Sequence, residues 1–168
     1  CAEIKDRLTK NTKAIIPVHF AGYPCDMKKI REAAIKNNLI VIEDAAHAFG
    51  AEYDGSKIGS CEFSDMAILS FHPVKTITTG EGGAILTNNR NFYEKLLMLR
   101  SHGITKERKR LTQYEGPWYY EMQMLGFNYR LTDIQAALGI SQMKRLDEFV
   151  SRRRELVDLY RGEFSHDE

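Results

Sequence analysis

Residues 25–44, CDMKKIREAAIKNNLIVIED, are the stretch whose reading decides the fold. Asp26 offers an N-cap, and Met27, Ile30 and Ala34 recur at helical spacing through Asn38, so the pattern predicts an amphipathic helix over 26–38. Leu39 to Ile42 is then a short, wholly apolar run. A run without polar alternation predicts a strand buried on both faces, as in a parallel sheet covered by helices. Just upstream, residues 14–19, AIIPVH, form a β-branched run broken by Pro17 and closed by Gly22 and Pro24, which reads as a strand entering a turn. The order is β-α-β, and the class is α/β. Glu43 and Asp44 follow the apolar run at once, so they stand at the carboxyl end of a parallel strand, the edge where open α/β sheets bind ligands.

Further along the chain, residues 66–71 and 84–87 supply two more short apolar runs, with the glycine-containing TTGEGG between them, so more sheet is expected. Residues 91–101 read as a helix with Phe92, Leu96 and Leu99 on one face. The run KERKR at 106–110 breaks the pattern, and residues 103–126 read as a long ordered loop of the kind that usually serves function. From Thr132 the pattern is helical again, with Ile134, Ala137, Leu138, Ser141 and Leu146 in one stripe, followed by a charged helix over 147–161 that packs outside.

The composition narrows the functional classes. In 168 residues, 43% hydrophobic and 28% charged, the formal charge is only +1. Such a chain can bury a core, and it has no whole-molecule field to draw in nucleic acid or an acidic membrane. Cys1, Cys25 and Cys61 are odd in number and far apart, which argues against a disulfide framework and fits a reducing cytoplasm. With His19, His47 and His72 they offer no pair at metal-ligand spacing, so no metal site is expected. No apolar run approaches membrane-spanning length. The chain begins at Cys1 without an initiator methionine and ends in the charged residues 161–168, and it reads as a fragment of a longer protein.

Three elements carry chemistry: Asp44 at a strand end, Ser70-Phe71-His72-Pro73-Val74-Lys75, and Gly80-Glu81-Gly82-Gly83. A lysine shortly after a buried strand, with a hydroxyl five residues earlier and glycines just beyond, is what a Schiff-base site needs: an amine kept partly desolvated, with backbone closing round a planar ring. Asp44 has the complementary task. Pyridoxal phosphate is an electron sink only while its ring nitrogen stays protonated, and a buried carboxylate beside that nitrogen raises its proton affinity.

The strings EDAAHAFGAEYDGSKIGS, ILSFHPVKTITTGEGGAILTNN and GFNYRLTDIQAALGISQMKRLD resemble the signature segments of the DegT/StrS family of nucleotide-sugar aminotransferases, and the resemblance runs through most of the chain. Within the family, VHFAGYPCDMKKI and GPWYYEMQMLGFNYRLTDIQ most resemble the members that aminate UDP-4-keto-6-deoxy-N-acetyl-β-L-altrosamine on the pseudaminic acid pathway. The resemblance implies the large domain of the aspartate aminotransferase (type I) fold, a mostly parallel mixed sheet covered by helices. Residues 1–145 would be the central part of that pyridoxal-phosphate domain, and 146–168 a helix leading toward a C-terminal small domain.

It also implies roles. Lys75 would hold the cofactor and shuttle the proton, Asp44 would face the pyridinium nitrogen, His47 the phenolic oxygen and Ser70 the phosphate. Asn128 matches a residue that reaches the phosphate in the neighbouring subunit's site, which implies a homodimer with shared active sites. Glutamate is the implied amino donor and a nucleotide-linked keto sugar the acceptor. The phosphate-cradling segment upstream and the C-terminal domain are missing from the chain, so on its own it is expected to be an incomplete enzyme.

Plainer readings exist for each residue. Lys75 could be a surface lysine and Asp44 a turn cap; His47 and Ser70 could satisfy local backbone groups, and Asn128 could serve a turn after Gly126. A dehydratase of the same fold, which carries histidine in place of the lysine, is argued against by Lys75 itself. Aminotransfer at C3 of the sugar stays open, as does a non-catalytic protein that uses the fold as a scaffold; the second predicts no bound cofactor.

Overall fold

The computed structural model describes residues 2–164; Cys1 and residues 165–168 of the charged C-terminal stretch lie outside the described residues. After helix α1 (Ala2–Arg7), strand β1 is only Ala14–Ile15. The expected strand over 14–19 is cut short at Pro17, which has no N–H to give to a ladder. Beyond it the chain keeps single bonds to the sheet: the Pro17 carbonyl accepts from the Asp44 N–H at 2.9 Å, and the His19 N–H donates to the Asp44 carbonyl at 3.0 Å.

Helix α2 (Met27–Lys36) starts where Asp26 caps it, its carboxylate accepting from the Lys29 N–H at 3.4 Å and from the Tyr53 hydroxyl at 2.9 Å. The predicted stripe is the buried one: Met27, Ile30 and Ala34 pack with Val41 of the next strand. That strand, β2, is Ile40–Asp44. It runs two residues past the apolar run because the Glu43 carboxyl finds buried partners in His19 and Ser64. A small hairpin, β3 (Glu52–Tyr53) and β4 (Ser56–Lys57), precedes β5 (Met66–Ser70) and β6 (Gly83–Leu86).

Among the described residues the main sheet has the order β1-β2-β5-β6, with β1, β2 and β5 parallel and β6 antiparallel at the edge. The expected mixed, mostly parallel sheet is therefore present. Strand alternation puts Val41, Glu43, Ala67 and Leu69 on one face, which is buried. Ile42, Asp44, Ile68 and Ser70 lie on the other, where Ile68 is 37% exposed. Burial on both faces is thus not what the described residues have: α2 and residues 45–58 cover the first face, and the second is partly open.

Residues 87–132 form a second compact unit, and the rest of the described residues form the first. Its helix α3 (Arg90–Arg100) is capped by Asn89, whose side chain accepts from the Asn91 and Phe92 N–H groups. Phe92, Leu96 and Leu99 are half-buried, as their spacing predicts. The expected loop over 103–126 contains β7 (Ile104–Thr105) paired antiparallel with β8 (Glu121–Met122), and a short 3-10 turn over Arg108–Arg110. Two-residue strands are too short to leave a period in the sequence.

The chain returns to the first unit in α4 (Asp133–Met143) and α5 (Leu146–Phe164). The expected helix is present, yet within α4 its apolar stripe does not face the core: Ile134 is 84% exposed, and Leu138 is exposed too. The inward side of α4 is made by Gln135, Ala136, Gly139 and Gln142 instead. Gly139 lets the helix approach closely, since a Cβ there would stand 3.0 Å from the Thr79 methyl.

Candidate active site at the carboxyl edge of the sheet

β2 and β5 end side by side, and their register pairs Asp44 with Ile68. Ser70 lies two residues beyond Ile68 and so on the same face as Asp44. Regular strand spacing separates their Cα atoms by roughly 8 Å. The Asp44 peptide is held on both sides, by Pro17 and His19 as described and through the next residue, whose N–H donates to the Ile68 carbonyl at 3.0 Å. Asp44 Oδ1 accepts from the Ala46 N–H at 3.2 Å, which aims the carboxylate at the turn leaving the strand. Ser70 Oγ accepts a long bond, 3.4 Å, from the His72 N–H. Its partner on β6 is Gly83, which puts no side chain beside the hydroxyl.

Two loops leave this edge. The first carries His47, exposed, with its ring edge against that of Phe20 at 6.1 Å between centroids. Gly22 makes that approach possible: its φ is +84°, and a Cβ there would sit 3.0 Å from the His47 carbonyl oxygen. The second runs from Phe71 to Gly82 and carries Lys75, half-buried. It is closed by its own backbone, since the Phe71 N–H donates to the Gly82 carbonyl at 2.9 Å and the Phe71 carbonyl accepts from Thr79 N–H at 3.1 Å and Thr78 Oγ1 at 3.0 Å. The Lys75 N–H turns back to the His72 carbonyl at 3.0 Å. Ile77 and Thr79 are buried within the loop, and Gln135 of α4 donates to the Glu81 carbonyl at 2.8 Å. From α5, Arg153 reaches the Lys75 carbonyl at 3.5 Å and lines a groove of about 500 Å³ with His47, Gly50, Val150 and Arg154.

Asp44, His47, Ser70 and Lys75 therefore gather at one sheet edge. Asn128 belongs to the second unit, where it forms an antiparallel bridge with Ser101 and its side chain is exposed. There the carboxylate of Glu121 accepts from the Thr112 N–H and hydroxyl, the Gln113 N–H and the Tyr119 hydroxyl, and these bonds, Thr112's foremost, lower its pKa to about 2.

Sequence reasoning passed over a buried polar set behind the edge. His19 is 0% exposed, its Nε2 is 2.9 Å from Glu43 Oε2, and its Nδ1 accepts from the Cys25 N–H at 3.1 Å. The Ser64 hydroxyl donates to Glu43 Oε1. Burial, and then the Glu43 carboxylate, push the Cys25 thiol up. The one signal in the sequence is a histidine closing a β-branched run and a glutamate closing an apolar one, two positions where solvent was the simpler expectation.

A mixed, mostly parallel sheet of this kind belongs to the large domain of pyridoxal-phosphate-dependent aminotransferases of the type I fold, and solved structures that this chain resembles are such enzymes. The chain belongs to the DegT/DnrJ/EryC1/StrS aminotransferase family, whose model matches residues 1–167. It is 45% identical over 165 residues to a UDP-4-amino-4,6-dideoxy-N-acetyl-β-L-altrosamine transaminase of Campylobacter jejuni, covering 96% of this chain and 41% of that protein. Over 160 residues it is 43% identical to the GDP-perosamine synthase of Escherichia coli O157:H7, covering 95% and 41%. Among solved structures, Helicobacter pylori PseC, an aminotransferase of pseudaminic acid biosynthesis, superposes with a TM-score of 0.86 at 34% identity, over 96% of this chain and 41% of that one. The chain thus spans about two fifths of the length of the proteins it matches. Aminotransferases of this family depend on pyridoxal phosphate. Among the described residues, no helix is long and apolar enough to cross a membrane.

Proposed function

We propose that the protein carrying this chain is a pyridoxal-phosphate-dependent aminotransferase that moves an amino group, from glutamate, onto a nucleotide-linked 4-keto-6-deoxy sugar in surface-polysaccharide or glycan sugar biosynthesis. The observation that carries the reading is the sheet edge itself, where Asp44 and Ser70 share a face and the loops of His47 and Lys75 depart. The donor set fits the cofactor: an acid for a ring nitrogen, a hydroxyl for a phosphate, an amine for a carbonyl carbon, and at Gly83 an open place beside the hydroxyl.

Bound there, pyridoxal phosphate supplies the electron sink that lets nitrogen pass between two carbon skeletons. Asp44 would keep a proton on the ring nitrogen, because a carboxylate at contact stabilises the charged form. His47 would serve the phenolic oxygen and Ser70 the phosphate. Lys75 would hold the cofactor through its amine and would supply the base that moves a proton between carbon centres, work suited to an amine kept beside a carbon acid. A second copy contributes Asn128 to the phosphate, so the working unit is a homodimer with shared sites, acting in the cytoplasm.

Both UDP- and GDP-linked sugars occur in the names of the relatives, so the sugar is found by assay. The full-length protein is expected to be yellow and, with glutamate, to aminate a member of a panel of UDP-, GDP- and dTDP-linked 4-keto and 3-keto sugars. Lys75→Ala is expected to abolish both borohydride-reducible cofactor attachment and turnover. Turnover retained in that variant, or cofactor still fixed covalently, refutes the assignment of Lys75.

A further inference from the structure

We propose that His19 and Ser64 form a register lock: by capturing the Glu43 carboxyl on the covered face of β2, they keep the adjacent Asp44 carboxylate on the face that meets the cofactor. The proposal rests on the cofactor-binding role of Asp44.

The sequence poses the problem. Glu43 and Asp44 are neighbours on one strand, so their side chains leave opposite faces. A slip of one residue would exchange them, presenting the longer acid to the site and burying the shorter one. Among the apolar residues of the strand, Ile40, Val41 and Ile42 would each offer an aliphatic side chain to either face after a slip, so they specify the register less sharply than the two acids do. The β1 ladder adds little, since it pairs Ala14 with Ile40 and Ile15 with Val41 before Pro17 interrupts it, and beyond the proline continues only as the single bridge of Val18 with Asp44. Something at the carboxyl end has to read which acid is which.

The buried set does so. Glu43 is 3% exposed and accepts from two side chains, His19 Nε2 at 2.9 Å on one oxygen and the Ser64 hydroxyl on the other. His19 cannot turn away, because its other nitrogen accepts the Cys25 N–H at 3.1 Å; that bond also places the ring proton on Nε2, facing Glu43. The histidine's own peptide then donates to the Asp44 carbonyl at 3.0 Å. One residue thus grips Glu43 by its side chain and Asp44 by its backbone. An aspartate in the Glu43 place would fall a methylene short of both donors, leaving buried polar groups unpaired, which is the costly condition in a protein interior. The set lies on the far face from the cofactor, so its members are positioning residues.

The test is a titration of the full-length protein with pyridoxal phosphate, followed by absorbance to give a dissociation constant, alongside a urea midpoint for each variant. Asp44→Ala is expected to weaken cofactor binding by about tenfold or more and to shift the absorption band. Ser64→Ala and His19→Gln are each expected to weaken binding by about threefold to tenfold when Asp44 is present, and by less than about twofold in the Asp44→Ala background. Their urea midpoints should fall equally in both backgrounds. Ser64→Ala removes one oxygen and leaves His19 to serve Glu43, so it reports even where His19→Gln fails to fold; Ser64→Thr, which keeps the hydroxyl, should restore binding. If Asp44→Ala changes neither affinity nor spectrum, the role of Asp44 falls and the lock with it. If Asp44→Ala acts as expected while the lock variants weaken binding equally in both backgrounds, or not at all, the lock alone is overturned.

Discussion

Truncating Ile77 to alanine tests whether the Lys75 loop is held from within. Ile77 lies two residues past Lys75 in a loop whose other side chains, Thr79 apart, are exposed or half-exposed, and it is 2% exposed. Ile77→Ala deletes three buried carbons, at about 0.8 kcal/mol each a loss of about 2.4 kcal/mol in transfer free energy. The void left behind adds to this, so the whole cost falls at about 2–5 kcal/mol. With a urea slope of about 2 kcal/mol per molar, the midpoint should drop by about 1–2.5 M at unchanged slope. Val74→Ala is the control on the same loop: Val74 is 71% exposed, and the change should stay within about 0.5 kcal/mol. Unfolding is followed by far-ultraviolet circular dichroism, with limited proteolysis between residues 71 and 82 as the local readout. A midpoint within about 0.3 M of the parent for Ile77→Ala, or an equal loss in Val74→Ala, would show that the loop is not anchored by this side chain.

Glu121 gives a pH prediction. Its folded pKa of about 2 lies below the ordinary value of 4.5, so its contribution is fully present above that ordinary value and is lost as pH falls from about 4.5 toward 2; Trp118 fluorescence should change across that window in the parent and not in Glu121→Gln. In the same unit Gly103, at φ +67°, has no room for a Cβ, which would collide with the Met124 backbone, so Gly103→Ala should free the β7–β8 pair. Faster hydrogen exchange at the Gln123 amide, which donates to the Gly103 carbonyl at 2.8 Å, is the measurement; unchanged protection contradicts it.

The elements that could be read from the sequence are those whose signal is local. The cap at Asp26, the stripe of Met27, Ile30 and Ala34, and the apolar runs of β2 and β5 each follow from residues within one turn or one strand. The same holds for the position of Asp44 at a strand end and of Lys75 in a glycine-flanked loop. What escaped depends on partners far along the chain. α4 turns its apolar residues outward because Gly139 seats it against Thr79, sixty residues earlier, and no helical period encodes that choice. β7 and β8 exist only as each other's partners. His19 looked idle because Glu43 and Ser64, the groups that justify burying it, are more than twenty residues away.

That last case bears on how such a site is built. A functional acid at a sheet edge must be partly open to its ligand, so it cannot be fixed by packing its own side chain. The constraint has to come from the backbone on either side and from the residue next to it, which points into the covered face and can be held as tightly as burial allows. Glu43 meets that requirement where a valine or isoleucine would not: an aliphatic side chain at that position would pack equally well after a slip, whereas a carboxyl between His19 and Ser64 satisfies its donors in one register only. On this view the acid that never meets the ligand determines where the other one stands.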